Sequence, residues 1–243
     1  MGLFTHVHDV VSAFAAGKLV LIVDEERENE GDVAVAAHRV TGAAITFMAT
    51  QARGLICIPM LGSRLDTLEL PLMVGARPSM DVPAFTVSVD ARAGVTSGVS
   101  AEDRARTVRA LIDPTTRPDD LIRPGHIFPL RYTEGGVLTR CGHTEAAVDL
   151  AKLAGCYPAA VICEVMNDDG TMADKHQLKG FAERHRLMVI NISDLCEYLR
   201  RTQAAARPQA ATQEEAEDLP IPESPPEPHR EPAPSAPDQV AEG

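Results

Sequence analysis

A run of six carboxylates and one arginine within residues 24–32, DEERENEGD, constrains this chain more than any other feature. It lies between two apolar runs of β type, residues 19–23 and 33–36. Like charges this close repel one another, so the fold must offset them. Most charge runs form a solvated turn, but acids between two buried strands equally suit a hard divalent cation held through oxygen ligands. On spacing alone, a surface turn and an Mg²⁺ or Mn²⁺ site are both open.

Charge is unevenly spread along the 243 residues. Residues 203–243 carry nine acids and two arginines, so −7 of the net charge of −12 lies there. The remaining −5 equals the charge of the acidic run, which leaves the rest of residues 1–202 formally neutral. Nucleic acids and anionic membrane surfaces need basic patches. We therefore expect no nucleic-acid partner and no membrane partner.

Targeting and cysteine patterns favour the cytoplasm. No basic n-region followed by an apolar h-region opens the sequence, so we expect no signal peptide. No apolar run approaches the roughly 18 residues of a spanning helix. The cysteines are odd in number and scattered without a C-x-x-C pair: Cys57, Cys141, Cys156, Cys163 and Cys196. This pattern indicates free thiols in a reducing compartment.

Apolar periodicity predicts alternating strands and helices. Strands are predicted at residues 19–23, 33–36, 55–58, 85–89, 127–132, 159–165 and 187–192. Helices are predicted at residues 7–17, 41–52, 64–68, 100–112, 144–155, 175–185 and 193–201. This order predicts an α/β (α+β) fold, a single-domain mixed sheet flanked by helices over residues 1–202. Residues 203–243 hold half of the 18 prolines and are predicted to be a disordered acidic tail.

Three side chains stand out as candidates for chemistry. Glu164 interrupts an apolar strand, where a desolvated carboxylate has a raised pKa suited to proton transfer, although a solvent-facing strand end is the plainer alternative. His143 lies at a predicted helix start, where backbone amides attract phosphate. Taken alone, a histidine in the context of His143 is more often a hydrogen-bonded structural residue, and His126 has the same alternative. Cys141 and His143 without a second ligand pair make zinc a poor interpretation.

The acidic run resembles the hallmark of 3,4-dihydroxy-2-butanone 4-phosphate synthase, an enzyme family of riboflavin biosynthesis. The resemblance continues in order through residues 94–104, 123–130, 135–146 and 164–173 and covers roughly residues 7–200. It implies a cytoplasmic lyase that converts ribulose 5-phosphate into 3,4-dihydroxy-2-butanone 4-phosphate and formate. It also implies a homodimer with each site at the subunit interface, and Mg²⁺ or Mn²⁺, two ions per site.

The resemblance further assigns roles to individual residues. It implies that Glu28 and His143 ligate the metal and that His126 and Glu164 are catalytic. The implied substrate contacts are Arg27, Glu28, Asp32, Thr96, Arg140, Cys141, Gly142, His143, Thr144 and Glu164. Cys141 departs from the small residue common in relatives, and Asp174 stands where a basic residue is expected; neither removes a proposed ligand.

Two other functions are compatible with the sequence. One is a catalytically silent domain that regulates a riboflavin-pathway partner through the acidic tail, although none of the metal and acid positions is eroded. The other is a different metal-dependent aldose–ketose enzyme, which product analysis would separate. The sequence contains no dinucleotide-binding Gly-x-Gly-x-x-Gly fingerprint, consistent with chemistry that needs no redox cofactor.

Overall fold

A computed structural model describes residues 4–27, 29–75, 79 and 82–217, with residues 206–217 described by their backbone alone. The described strands form one seven-stranded mixed sheet in the order β4-β5-β3-β6-β2-β1-β7. The strands are β1 (Val20–Asp24), β2 (Glu30–Ala36), β3 (Cys57–Met60), β4 (Val89–Ala91), β5 (Leu121–Arg131), β6 (Ala160–Glu164) and β7 (Met188–Asn191). Pairs β1–β7 and β3–β5 are parallel and the other neighbours are antiparallel.

In the described part of the chain, seven α-helices accompany the sheet: α1 (Val7–Ala15), α2 (Gly42–Phe47), α3 (Gly62–Thr67), α4 (Ala101–Ile112), α5 (His143–Leu153), α6 (Lys175–His185) and α7 (Ile192–Glu217). A π-helical turn, Met48–Ala52, extends α2. The predicted α/β sheet flanked by helices is thereby confirmed. None of the described helices has the length and apolarity that a membrane span requires.

Side-chain alternation along the strands divides the core between the two faces of the sheet. In β1, Leu21 and Val23 join a buried cluster with α2, α3, α4 and α6, whereas Val20 and Ile22 join a second cluster with α1, α5 and α7. All four side chains are at most 1% exposed. Fully burying each of these side chains contributes about 1.5–3 kcal/mol. Because β1 is buried on both faces, its sequence is a continuous apolar run.

The acidic run is not one long loop, which corrects the predicted strand bounds. β2 begins at Glu30 rather than at residue 33, and Asp24 pairs with Glu30 across the β1–β2 hairpin. Only residues 25–29 connect the two strands. Two of the acids therefore belong to β2 and have side chains fixed by the sheet.

The bounds of the strand predicted at residues 85–89 are wrong. Phe85 and Thr86 make only isolated bridges, and β4 starts at Val89. β5 begins six residues before its predicted start, at Leu121. In the pairing of β4 with β5, Val89 pairs with Ile127 and the next residue, Asp90, pairs with Ile122. Pro124 lies in this interruption, where its missing N–H costs no ladder bond.

The last helix runs past its predicted end at residue 201 to Glu217. The chain divides into two compact units after Gln203. The domain boundary at residue 202 and the disorder of residues 203–243 stay predictions, and residues after 217 lie outside those described.

Candidate active site

A cavity of about 310 Å³ opens where the start of α5 lies over the ends of β2 and β6. It is lined by Glu30, Asp32, Pro83, Phe85, Leu130, Arg140, His143, Thr144, Ile162 and Glu164. Its apolar wall is formed by Pro83, Phe85, Leu130 and Ile162, and its polar wall by residues of β2, the end of β6, Arg140 and the start of α5. Such a concave site with convergent polar groups is the usual form of a small-molecule site.

Two carboxylates face each other across the sheet at the floor of this cavity. Asp32 and Glu164 are direct partners on the antiparallel strands β2 and β6, which places their Cα atoms about 4.5–5.5 Å apart. Asp32 is only 3% exposed. Like charges directly opposite on a sheet are destabilising, so this pair is a place where a cation or a shared proton would be stabilising.

Backbone groups from the segment before β3 hold Glu164. The Leu55 N–H donates to Glu164 Oε2 at 2.8 Å, and the Gly54 N–H donates to the Glu164 carbonyl oxygen at 3.1 Å. A Cβ atom on Gly54 would lie 2.5 Å from that carbonyl oxygen and 2.6 Å from Oε2. Only glycine leaves the Glu164 carboxylate in this position.

Cys57 lies directly below the carboxylate pair. It pairs with Ile162 of β6 and is 1% exposed. Burial, and then the charges of Glu164 and Asp32, raise the pKa of the Cys57 thiol far above its usual range. Cys57 is therefore a neutral core thiol close to the acids.

A buried ion pair shapes the polar wall at the start of α5. Arg140 Nη1 donates to Glu145 Oε2 at 2.6 Å, and the two side chains are 5% and 1% exposed. Glu145 Oε1 also accepts from the Thr133 N–H. A Cβ on Gly142, the N-cap residue, would lie 2.2 Å from Arg140 Nη1. Glycine at 142 thus leaves room for the guanidinium in its present position.

The turn that leads into α5 is fixed by Asp149. Its carboxylate accepts from the Tyr132 hydroxyl at 2.7 Å and from the Val137 N–H at 2.8 Å. Burial, and then the hydrogen bond to Asp149, raise the pKa of Tyr132 above its usual range. Gly136 has φ +63°, and a Cβ there would lie 2.0 Å from Asp149 Oδ2. This network sets the path of the chain towards Arg140.

The acids of residues 24–32 have separate partners. Asp24 Oδ1 accepts from the N–H groups of Glu26 and Arg27 and thus closes the turn. Glu25 pairs with Lys175 on α6 at 3.0 Å. Arg27 Nη1 donates to the Cys141 carbonyl at 3.0 Å, which joins this turn to the start of α5.

The acids of the run therefore lie in different surroundings. Of its acids, Glu30 and Asp32 line the cavity. Glu28, the predicted metal ligand and substrate contact, lies outside the described residues.

His126 and Thr96 do not line the cavity. His126 Nδ1 lies 2.7 Å from Asp90 Oδ2, and its N–H donates to Asp90 Oδ1 at 2.9 Å. Thr96 Oγ1 donates to Asp103 Oδ2 at 2.8 Å near the start of α4. That hydrogen bond, opposed by burial and aided by further N–H donors, holds the pKa of Asp103 below its ordinary value. Within one chain these two residues form a separate polar group.

The donor set at the cavity is of the chemical type that a hard divalent cation prefers. It combines the carboxylates of Glu30, Asp32 and Glu164 with the imidazole of His143, which is 8% exposed. Oxygen ligands with one imidazole suit Mg²⁺ or Mn²⁺ better than zinc. Among the residues described, no three His, Cys, Asp or Glu side chains are grouped closely enough to enclose an ion.

The structure brings most of the predicted substrate contacts together. Those that line the cavity are Asp32, Arg140, His143, Thr144 and Glu164, with Arg27, Cys141 and Gly142 directly beside them. Sequence reasoning gave no role to Glu30, Glu145 or Asp90. Glu30 and Asp32 alternate along β2, and that period of two was a usable signal for Glu30. The partners of Arg140 and His126 depend on tertiary contacts that no local pattern reveals.

Comparison with known proteins is consistent with this site. The family model of 3,4-dihydroxy-2-butanone 4-phosphate synthase matches residues 8–198. A protein of that name from Agrobacterium fabrum is 55% identical over 195 residues, which are 80% of this chain and 92% of that protein. Riboflavin biosynthesis protein RibBA of Synechocystis is also 55% identical over 199 residues, 81% of this chain but 36% of the longer relative.

Solved structures of the same family have the same fold. A 3,4-dihydroxy-2-butanone 4-phosphate synthase in complex with two magnesium ions is 39% identical with a TM-score of 0.78, over 82% of this chain and 99% of that one. RibBX of A. baumannii, a two-domain synthase, is 46% identical with a TM-score of 0.76, over 80% of this chain and 57% of that one.

Proposed function

Because the chain belongs to the 3,4-dihydroxy-2-butanone 4-phosphate synthase family, we propose that it converts D-ribulose 5-phosphate into 3,4-dihydroxy-2-butanone 4-phosphate and formate for riboflavin biosynthesis. One observation carries the proposal. The opposed carboxylates of Asp32 and Glu164 share a cavity with the start of α5. That arrangement joins an anion-binding helix end to groups that transfer protons.

Substrate binding uses the positive wall of the cavity. The first N–H groups of a helix make no bond within it and attract phosphate. Arg140 lines the cavity, and a guanidinium binds phosphate or hydroxyl oxygens in a planar fork. The Thr144 hydroxyl and Arg27, which bridges from the acidic turn to the Cys141 carbonyl, supply further donors.

Proton transfer is assigned to Glu164 and His126. The reaction needs deprotonation beside a ketone, loss of a hydroxyl, a skeletal shift and expulsion of one carbon. Glu164 is held by the Leu55 N–H with its carboxylate at the cavity, so it can accept and return a proton without reorganising. Asp90 fixes the ring of His126 through Nδ1, which leaves Nε2 for exchange with substrate.

Glu28 and His143 are the residues proposed to hold Mg²⁺, with Mn²⁺ as an alternative and two ions per site. A bound divalent ion supplies charge stabilisation to the oxygens that become negative during the reaction. The magnesium complex of the 39% identical relative supports the choice of metal. The carboxylates of Asp32 and Glu164 lower the local potential and add to the attraction for a cation.

We further propose a cytoplasmic homodimer with each site at the subunit interface and with no nucleic-acid or membrane partner. Exposed large apolar side chains would be covered by association with a second copy of the chain. Met73, Val74 and Val82 are 50%, 58% and 41% exposed. His126 lies outside the cavity of its own chain, as expected for a residue that completes the site of a partner.

The assignment is tested by measuring formate released from ribulose 5-phosphate with Mg²⁺ and after chelation. We expect formate with Mg²⁺ and almost none with a chelator. Glu164→Gln and His143→Ala should lower turnover by about 10²–10⁴-fold with native melting temperatures. Glu183→Gln, an exposed carboxylate on α6, is the matched control and should behave like wild type. No formate with either Mg²⁺ or Mn²⁺ would refute the proposal.

The same assay separates the two alternatives. A silent regulatory domain would release no formate, and its effect on a partner would depend on residues 203–243. Under the enzyme proposal, removing those residues leaves turnover nearly unchanged. A different aldose–ketose enzyme would consume ribulose 5-phosphate without forming formate, which product analysis by NMR would reveal.

A further inference from the structure

Two thiols from distant parts of the chain meet beside the candidate active site. The Sγ atoms of Cys141 and Cys196 are 3.2 Å apart. Both also lie 3.5 Å from the Val137 carbonyl oxygen. Cys141 immediately precedes the N-cap of α5, and Cys196 is in the second turn of α7. The contact therefore joins the start of α5 to the start of α7.

The two thiols differ in access. Cys141 is half-buried, whereas Cys196 is 2% exposed. A small reagent thus meets the Cys141 sulfur first. Burial, and then the hydrogen bond with Cys141, raise the pKa of Cys196 to about 12. Cys196 is therefore a neutral thiol that reacts second.

We propose that Cys141 and Cys196 form a redox-active dithiol that closes to a disulfide by exchange with a small-molecule disulfide. Cys141 sulfur attacks one sulfur of the reagent, the reagent S–S bond breaks, a mixed disulfide forms, and the Cys141 proton passes to the first departing thiolate. Cys196 sulfur then attacks Cys141 sulfur, the mixed bond breaks, and the Cys196 proton passes to the second departing thiolate. One reagent disulfide is reduced to two thiols, and the protein dithiol is oxidised to one disulfide.

Closing the bond requires only a small movement. A disulfide has an S–S distance of about 2.05 Å, so the sulfurs must approach by about 1.2 Å from their present 3.2 Å. Closing the bond also moves the backbone of Cys141. Its carbonyl accepts from Arg27, and its neighbour Gly142 is the N-cap of α5. Oxidation therefore shifts residues at the cavity wall and lowers turnover reversibly.

The test is mass spectrometry of the full chain after treatment with bis(2-hydroxyethyl) disulfide. Wild type should lose the mass of two hydrogen atoms and yield a cross-linked peptide that joins Cys141 to Cys196. Cys196→Ser should instead retain one reagent adduct on Cys141, because its mixed disulfide has no resolving thiol. Cys156→Ser, which changes another half-buried cysteine, is the control and should cross-link like wild type.

Opposite results would overturn the proposal. These are a stable adduct on wild type without a cross-link, a cross-link through another cysteine, or equal behaviour of wild type and Cys196→Ser. Formate release, measured before oxidation, after oxidation and after reduction with dithiothreitol, then tests the effect on turnover; we expect a severalfold loss that reduction restores. Because the mass readout needs no substrate, the dithiol proposal and the proposed function fail separately.

Discussion

Replacing Glu145 with glutamine should destabilise the protein strongly while changing almost no volume. The substitution removes the charge that compensates Arg140, whose side chain is 5% exposed and bonded to Glu145 at 2.6 Å. Glutamine can still accept one hydrogen bond, but the buried guanidinium loses the carboxylate charge of this pair. The cost is therefore that of breaking a buried pair and exceeds that of a lost surface contact.

The expected loss of stability follows from the burial of both side chains of the ion pair. Removing one partner of a buried ion pair costs about 3–5 kcal/mol. For a protein of this size, each kcal/mol lowers the melting temperature by about 2–4 °C, so the total decrease is about 6–20 °C. Glu197→Gln is the matched control, because the Glu197–Arg201 pair is 59% and 77% exposed and such pairs contribute about 0.3–0.5 kcal/mol.

Differential scanning calorimetry and urea unfolding measure both variants. The double variant Arg140→Met with Glu145→Leu should recover most of the stability, since both charges of the pair are removed together. It should not recover turnover, because Arg140 lines the cavity. A Glu145→Gln protein within about 1 kcal/mol of wild type would refute the view that this pair is a buried, charge-compensated element of the site.

Three further outcomes are expected. Asp90→Asn should lower kcat about 10²-fold with little change in KM and should shift the pH profile, because Asp90 orients His126 at 2.7 Å. Gly54→Ala should lower turnover about 10²-fold, because the added methyl displaces the adjacent catalytic carboxylate. The Thr96 hydroxyl and neighbouring donors lower the pKa of Asp103, so stability from Asp103 is full above its unfolded pKa of about 4 and is lost as pH falls through the lower folded value. Thermal unfolding of Asp103→Asn should therefore differ from wild type at neutral pH and converge with it in acid.

Each of these expectations has a control and a contradicting result. Gly180→Ala adds a methyl into open space and should keep full turnover; an equally active Gly54→Ala would show that Glu164 tolerates displacement. An unchanged pH profile for Asp90→Asn would show that Asp90 only packs against His126 and does not orient its ring. A constant stability difference from neutral to acid pH would contradict the role given to Asp103.

Local patterns predicted the architecture well because both faces of the sheet are buried. β1 and β6 are continuous apolar runs, so they are predicted as strands without knowledge of the elements beside them. The predicted helices begin close to capping residues that are visible in the sequence. Ser100 and Thr41 accept the expected N–H bonds at α4 and α2. Glu164 was conspicuous because one charge in an apolar strand needs a partner, and the structure places it opposite Asp32.

Tertiary packing determines the strand registers and long-range contacts that the local sequence pattern does not predict. The acidic run looked uniform, yet the hairpin register places Glu30 and Asp32 in β2 and turns Asp24 inward as a turn cap. The error at the strand predicted for residues 85–89 follows from the interrupted register between β4 and β5. That interruption also brings His126 to Asp90, a contact between residues far apart in sequence. No periodicity encodes such pairings.

Direct detection of an imidazole on the bound metal tests the central claim. Electron spin-echo spectroscopy of the protein with Mn²⁺ and ¹⁵N-labelled histidine reports a nitrogen that coordinates the ion. We predict modulation from one imidazole in wild type and in the His38→Ala control, and its loss in His143→Ala. Modulation that persists in His143→Ala, or none in wild type, would contradict a metal site at the start of α5.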